Sequence, residues 1–513
     1  MTGNKRSQSR PLISGGTGEA SVSEPAGARS ITRRVLFLNG NETQRPYRVA
    51  PLGMAFVASS VRESGREVRF MDQLQGFLAL RRLIRVLRRW RPQVVGLGIR
   101  NLDNSDYHAF HSYLSLPARL VALIRRELPE TTIILGGSAG TVDPERVLDV
   151  VPADHLILGE GEEAMIRLLD AKDGGEHVSH IVGDPVLGGP HRVVETEKLT
   201  PPGLYQWTPM ASYLKGDAGY PVQTKRGCPL KCSYCTYGRI EGKRYRKLHP
   251  ERVADEIQGA MEQGIRDFEF VDSTFNLPVK HAMDVVETLL RRGLTANYHG
   301  TGINPSKLPD ELLDGMRRAG FRQVILTAES ASGSMLKSYG KNYTQPALVN
   351  AADQLRRHRL GALWVFLLAG PGETEATVEE SLSFIAEHVR APDAVYITSG
   401  IRIYKGSPMA DAWEEGRLGT ASLRTAADKH ATFYYSEHTQ PDWLEARLKA
   451  FQRRHPHVML SCEGHGWMTQ FALNMLPWTG LKKPYWQYLG WLNRLRRPAS
   501  FLPNFKPTSQ AVG

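Results

Sequence analysis

The sequence predicts an α/β protein: a doubly wound parallel sheet, then a partial barrel of six βα units, then a mostly helical C-terminal region. Three observations carry that prediction. Short apolar runs of strand length alternate with longer amphipathic segments of helix length, in two series, from residue 34 to about residue 410. Polar and glycine-rich stretches follow the apolar runs, at the ends where parallel sheets take up ligands. Three of the four cysteines, Cys228, Cys232 and Cys235, share one loop at the start of the second series.

With 513 residues the chain has room for several domains and large cores. Residues 1–30 are rich in Ser, Gly and Arg and too poor in large apolar residues to order themselves. The expected divisions are then a first sheet over 31–170, a connection with a small hairpin over 171–205, the barrel over 206–410 and the C-terminal region over 411–513. The net charge of +12 suits anionic cofactors or a soluble surface as well as nucleic acid, and no RNA-binding module is present. Four cysteines make no disulfide framework, which points to a reducing cytoplasm. No apolar run approaches the roughly 18 residues of a membrane helix.

In the first series, Val35-Leu36-Phe37-Leu38 reads as a buried strand, followed by a helix over about 52–64 that stops at Gly65. Val68-Arg69-Phe70-Met71 is the next strand. Leu80, Leu83, Ile84, Leu87 and Trp90 then share one helical face, with the interleaved arginines on a solvated outer face. Strands at Val94–Ile99, Thr132–Leu135 and His155–Leu158 follow, and the last two end in Gly136-Gly137 and Gly159-Glu160-Gly161. Glycine lets a backbone approach a ligand closely, although any one of these glycines can be a tight turn and nothing more.

In the second series, strands are expected at Val222–Thr224, Phe268–Asp272, about 297–300, Val324–Thr327, Leu363–Leu368 and Ala394–Thr398, with helices between them. Their ends carry Asp272-Ser273-Thr274-Phe275-Asn276, Glu329-Ser330 and Ala369-Gly370-Pro371-Gly372-Glu373. The third strand carries His299, readable as a substrate-facing acid or base or as a hydrogen-bonded core histidine. Beyond residue 410, a helix is expected over 443–453. The aromatic end (Trp467, Trp478, Trp486, Tyr488, Trp491) reads as packing, Arg494–Arg497 as a solvated end, and Cys462 as a small buried residue.

Three thiols within eight positions point to a shared metal. The spacing C-x3-C-x2-C is not the paired pattern of structural zinc. A cubane iron–sulfur cluster normally takes four cysteines, so three would leave one iron open to chemistry. A small zinc or disulfide staple, with His249 as a fourth ligand, is the alternative.

This loop, with Tyr234 just before its last cysteine, resembles the cluster loop of the radical S-adenosylmethionine (SAM) superfamily. The resemblance implies a [4Fe-4S] cluster on Cys228, Cys232 and Cys235, with SAM on the fourth iron and reductive cleavage of SAM to a 5′-deoxyadenosyl radical. It also implies that Asp272 and Ser273 face the SAM amino group, that Glu329 and Ser330 lie near its ribose and carboxylate, and that Gly370 and Pro371 lie beside the adenine. The third strand departs from the pattern, since many relatives carry an Arg there.

The first series, with Pro51-Leu52-Gly53-Met54 after its first strand, resembles the cobalamin-binding domain of one large branch of that superfamily. Gly136, Gly137, Gly159, Glu160 and Gly161 would line the cofactor. The D-x-H-x-x-G motif is missing, so cobalamin would bind without a protein imidazole on cobalt, and Arg100 and Asn101 are expected to face its lower side. The whole resemblance, over about residues 34–410, is to cobalamin-dependent radical SAM enzymes, in particular the methyltransferases of natural-product pathways. It implies methylation of an unactivated carbon or phosphorus of a small molecule by way of methylcobalamin. An electron donor such as flavodoxin or ferredoxin would act as partner. The alternatives are a non-methylating radical SAM enzyme and a non-catalytic iron–sulfur or zinc-binding module.

Overall fold

The computed structural model describes residues 32–42, 48–74, 76–183, 194–196, 199–215, 217–419, 423–425, 431–461, 481 and 483–488. Cys462, Trp467, Trp478, Trp491 and Arg494–Arg497 lie outside the described residues.

The first sheet is built from β1 (Arg34–Asn39), β2 (Glu67–Met71), β3 (Val94–Gly98), β4 (Thr132–Gly136), β5 (His155–Ile157) and β6 (Ile181–Val182). All neighbours run parallel, in the order β2-β1-β3-β4-β5-β6. Alternation along β1 sorts side chains to the two faces. Leu36 and Leu38 pack with Leu83, Leu87, Leu120 and Ile124 from the helices Phe77–Trp90 and Ser115–Glu127. Val35 and Phe37 pack on the other face with Ala58, Val61, Leu168 and Leu169 from the helices Leu52–Glu63 and Gly161–Gly174. Two covered faces explain why these strands read as continuous apolar runs. Within the stretch expected to form a connection with a small hairpin, β6 runs parallel to β5 and is too short to carry a period, and residues 184–193, 197 and 198 lie outside the described residues.

The second sheet uses β7 (Tyr220–Val222), β10 (Asp267–Phe270), β11 (Asn297–Ile303), β12 (Phe321–Glu329), β13 (Gly361–Leu368) and β14 (Ala394–Ser399). These are the six parallel strands of a partial barrel, in the order β14-β13-β12-β11-β10-β7. Between β7 and β10, β8 (Lys225–Arg226) and β9 (Arg246–Lys247) pair antiparallel and frame the cysteine loop. The C-terminal region adds β16 (Leu423–Thr425) and β17 (Thr432–Tyr434), which pair with β15 (Ile401–Arg402) in a small antiparallel sheet. It also adds the helix Pro441–Arg454, and β18 (Val458–Leu460), which extends the barrel beside β14. Trp486 packs on Ala394, Leu363 and Met459, so this aromatic of the C-terminal region packs on the barrel strands.

Along β13 the exposure pattern shows which side is open. Ala362, Trp364, Phe366 and Leu368 are buried, and Trp364 and Phe366 lie against Phe384 of the helix Glu375–His388. Leu363, Val365 and Leu367, on the other face, are only half-buried. The barrel interior is therefore not filled by its own strands. No described helix is long and apolar enough to cross a membrane.

Candidate active site

The cysteine loop is closed by its own backbone. Gly227 has φ +82°, and a Cβ there would run into the carbonyl of Arg244. Its N–H donates to the Glu241 carboxylate (3.0 Å), and the Cys228 N–H donates to the carbonyl of Gly242 (3.0 Å). Inside this ring, the Cys235 N–H donates to the Cys232 carbonyl (3.2 Å), and the Tyr237 N–H points at Cys235 Sγ (3.5 Å). All three cysteines are free thiols. Burial pushes the Cys232 thiol up and Cys235 up to about 11, with the neighbouring thiols adding to both. Taking up a metal must therefore displace protons.

Among the described residues no three His, Cys, Asp or Glu side chains converge on one ion-sized point. A cubane cluster is held at three separate corners, so thiols spaced around a loop fit it better than a single zinc ion. His249, the alternative fourth ligand, accepts from the Glu251 N–H through Nδ1 (3.3 Å) and caps the helix Pro250–Glu262. Gly227→Ala combines a disfavoured φ with a backbone clash. It is expected to cost ~2 kcal/mol in urea unfolding and to lower the iron bound after anaerobic reconstitution.

The strand ends surround this loop, but several residues expected to face SAM are already engaged. Asp272 is buried, and its carboxylate accepts from Thr224 N–H (2.8 Å), Lys225 N–H (3.2 Å), Thr224 Oγ1 (2.6 Å) and Lys225 Nζ (2.9 Å). Four acceptor positions are thus filled, and none is left for an amino group. Asp272 instead holds the strand that delivers the loop. The Ser273 hydroxyl donates to the Gly227 carbonyl (3.1 Å). Ser330 is fully buried against Ser381 (3.0 Å).

Glu329, at φ +60°, does turn toward the loop and accepts from the Tyr234 hydroxyl (2.6 Å). Gly370 approaches Tyr339 so closely that a Cβ would collide with its ring, and the Pro371 carbonyl accepts from Ser338 (2.6 Å). His299 meets Gln323 through Nδ1 (2.6 Å), and burial lowers it to about 4. It is a neutral core histidine.

Glu373 braces this last turn, accepting from the Gly370 N–H (3.3 Å) and Thr377 Oγ1 (3.3 Å). Burial raises its carboxyl to about 7, against hydrogen bonds that favour the charge. Its contribution to stability is therefore complete below the ordinary pKa of 4.5 and is lost as pH rises through about 7. Urea unfolding is expected to weaken by on the order of 2 kcal/mol between pH 5 and pH 8, and Glu373→Gln should flatten that profile.

In the first domain, a Cβ at Gly136 would meet nothing within 4 Å, so the end of β4 borders open space. Gly137 is exposed at φ +105°, and a Cβ there would strike the Ile99 carbonyl. Gly159 and Gly161 lie half-buried beyond β5. This glycine strip fits a flat, bulky cofactor lying over the strand ends. Arg100 is exposed and Asn101 half-buried at the same edge, where the Arg100 carbonyl accepts from Ser138. An open groove of about 540 Å³, lined by Thr32, Arg34 and Gln93 among others, lies at the opposite edge of the sheet. Ligands of such sheets do not bind there.

Glu160 departs from the expectation. Buried, it pairs with Arg246 and accepts from the Val194 N–H (2.5 Å), with Arg226 at 3.5 Å. Glu162 pairs with Arg226 (2.6 Å). These ion pairs tie the first domain to the two strands that frame the cysteine loop, and they leave Glu160 no face for a cofactor. Farther along, Asp103 is buried against Arg402 (3.1 Å) and Tyr404 (2.7 Å), so the loop after β3 is partly an inter-domain strut.

The two candidate cofactor regions adjoin. The short helix Tyr237–Ile240, directly after Cys235, sends Arg239 Nε to the Thr141 carbonyl (3.1 Å), in the short helix that follows Gly137. Tyr237 is 40% exposed. The charges of Glu241 and Arg100 act on its hydroxyl in opposite senses. Sequence reasoning missed Lys341, whose ammonium reaches Cys232, Tyr234 and Glu329. It also missed the Arg226 and Arg246 pairs. For Arg226 the signal was a basic residue just before the cysteine loop together with the acidic Gly-Glu-Gly-Glu turn; Arg246 lies beyond the loop and carried no such signal.

Residues 222–385 match the Radical SAM superfamily and residues 42–169 the B12 binding domain. An uncharacterised methyltransferase of Pyrococcus horikoshii is 30% identical over 347 residues, which cover 65% of this chain and 72% of that protein. An anaerobic magnesium-protoporphyrin IX monomethyl ester cyclase of Cereibacter sphaeroides is 23% identical, over 68% of this chain and 59% of that one. The solved structure of the radical SAM methyltransferase TsrM from Kitasatospora setae, with cobalamin and a [4Fe-4S] cluster bound, superposes with TM-score 0.75. It is 19% identical and covers 91% of this chain and 100% of that one. The chain thus belongs to the cobalamin-dependent radical SAM methyltransferase family, whose cofactors are a [4Fe-4S] cluster, SAM and cobalamin.

Proposed function

We propose that the enzyme carries out cobalamin-dependent methyl transfer from SAM to an unactivated carbon or phosphorus of a small, natural-product-type molecule. One observation carries the reading: the glycine strip of the first domain and the cysteine loop of the barrel adjoin, joined at Arg239 and Thr141. Such closeness is what a reaction using both cofactors requires. When bound, the cofactors supply one-electron reduction of SAM and a transferable methyl group.

In this reading the chain's residues have separate tasks. Cys228, Cys232 and Cys235 hold the cluster. Gly136, Gly137, Gly159 and Gly161 let the corrin approach the backbone, and Arg100 and Asn101 face its lower side. Glu329, Ser273, Gly370 and Pro371 border the SAM site. The half-buried Val365 and Leu367 offer an apolar wall for the substrate and help exclude water. A flavodoxin- or ferredoxin-like protein supplies electrons.

Anaerobic reconstitution with iron, sulfide and hydroxocobalamin, followed by analysis of SAM products under reduction, tests the proposal. S-adenosylhomocysteine formed only when cobalamin is present supports it. The cyclase relative favours a second reading, a radical ring closure without methylation. 5′-Deoxyadenosine with no S-adenosylhomocysteine would select that reading.

A further inference from the structure

The turn Tyr339-Gly340-Lys341 is built against the cysteine loop at four points. The Ser233 N–H donates to the Tyr339 carbonyl (3.0 Å). Gly340, at φ +65°, lies so close to the Lys231 carbonyl that a side chain there would collide with it. Lys341 Nζ reaches Cys232 Sγ (3.7 Å) and donates to the Tyr234 hydroxyl (2.7 Å). The Tyr234 hydroxyl in turn donates to Glu329 (2.6 Å), which also pairs with Lys341 (3.4 Å). The Lys341 side chain is only 6% exposed and that of Glu329 8%.

A buried cation placed on a ligand sulfur does more than hold a loop. Hydrogen bonds to cluster sulfurs and local net charge are two of the levers that set an iron–sulfur reduction potential. An electron added to a cluster beside Lys341 is stabilised by a charge that water screens poorly at this burial. Glu329, sharing the same hydrogen bonds, acts in the opposite sense. The pair is thus a balanced charge set, with its cation in direct contact with one of the three sulfurs, Cys232 Sγ.

We propose that Lys341 is a positioning residue that raises the reduction potential of the cluster through a charge-assisted N–H···S bond to Cys232, with Glu329 as its counterweight. The inference rests on the three cysteines carrying a [4Fe-4S] cluster. It identifies Lys341 as a determinant of how readily the electron donor delivers its single electron.

The test is an EPR-monitored redox titration of reconstituted full-length protein without SAM or substrate, with iron content measured on each sample. Lys341→Met should shift the potential to more negative values at undiminished iron loading, and Lys341→Arg should restore most of the shift. Glu329→Gln should move it in the positive direction. An unchanged potential in both Lys341→Met and Glu329→Gln, or shifts of the same sign, overturns the proposal. Should Lys341→Met fail to hold iron, the Lys341→Arg and Glu329→Gln titrations decide alone, and a negative shift in Glu329→Gln counts against it. Wild-type protein that binds no four-iron cluster would overturn the cluster assignment as well, which separates the two failures.

Discussion

Serine in place of any one of Cys228, Cys232 or Cys235 is expected to abolish SAM cleavage and methyl transfer while leaving the protein folded. The three thiols are free and belong to one backbone-closed ring, with no part in either hydrophobic core beyond the buried edge of Cys228. A hydroxyl is close in size to a thiol, so the ring can keep its hydrogen bonds. It is a harder, less acidic ligand, and losing one of three anchors leaves a cubane cluster weakly held. Iron per chain and the visible absorption of the reconstituted protein should fall, with the urea midpoint of the apo protein changed by less than ~1 kcal/mol. Cys232→Ser also exchanges the sulfur that faces Lys341 for an oxygen, so its residual cluster, if any forms, should differ most in EPR. A variant with full activity would remove that cysteine from the ligand set.

The cysteine loop was legible because its meaning is local: three thiols at fixed spacing need no knowledge of the fold. The strands of the first sheet were legible for a related reason, since both of its faces are covered and runs such as Val35–Leu38 stay apolar throughout. Partners distant in sequence were not. Asp272 stands where a ligand-facing carboxylate was expected, yet Lys225 and Thr224, from the neighbouring strand's exit, fill its acceptor positions. Glu160, within a glycine motif that suggested cofactor contact, is committed to Arg246 and Val194. In both cases the residue type was right for binding an ammonium or guanidinium group, and the protein itself supplies that group. β6 and β18 escaped detection because strands of two and three residues carry too little periodicity.

Removing Arg226 should have the largest effect on the union of the two domains. Its guanidinium lies between Glu162 (2.6 Å) and Glu160 (3.5 Å), with Gln223 on Nε (3.0 Å) and Phe56 beneath it. Burial works against that charge, but Glu162 and Glu160 hold the pKa above the ordinary arginine value. Two buried carboxylates and two buried guanidinium groups balance, and Arg226→Met leaves one carboxylate uncompensated. The expected cost is ~3–5 kcal/mol in urea unfolding, because an unpaired buried charge is far worse than a missing pair. Glu162→Gln in the same chain should recover part of it, with a coupling on the order of 1–3 kcal/mol. Arg226 also precedes the Gly227 turn. The double variant, folded and neutral, should therefore lose cobalamin-dependent methyl transfer more than SAM cleavage, as the glycine strip and the cysteine loop lose their fixed spacing. A single variant costing less than ~1 kcal/mol, or a double variant no more stable than the single, would mean that water already reaches these charges and that the domains are held by other contacts.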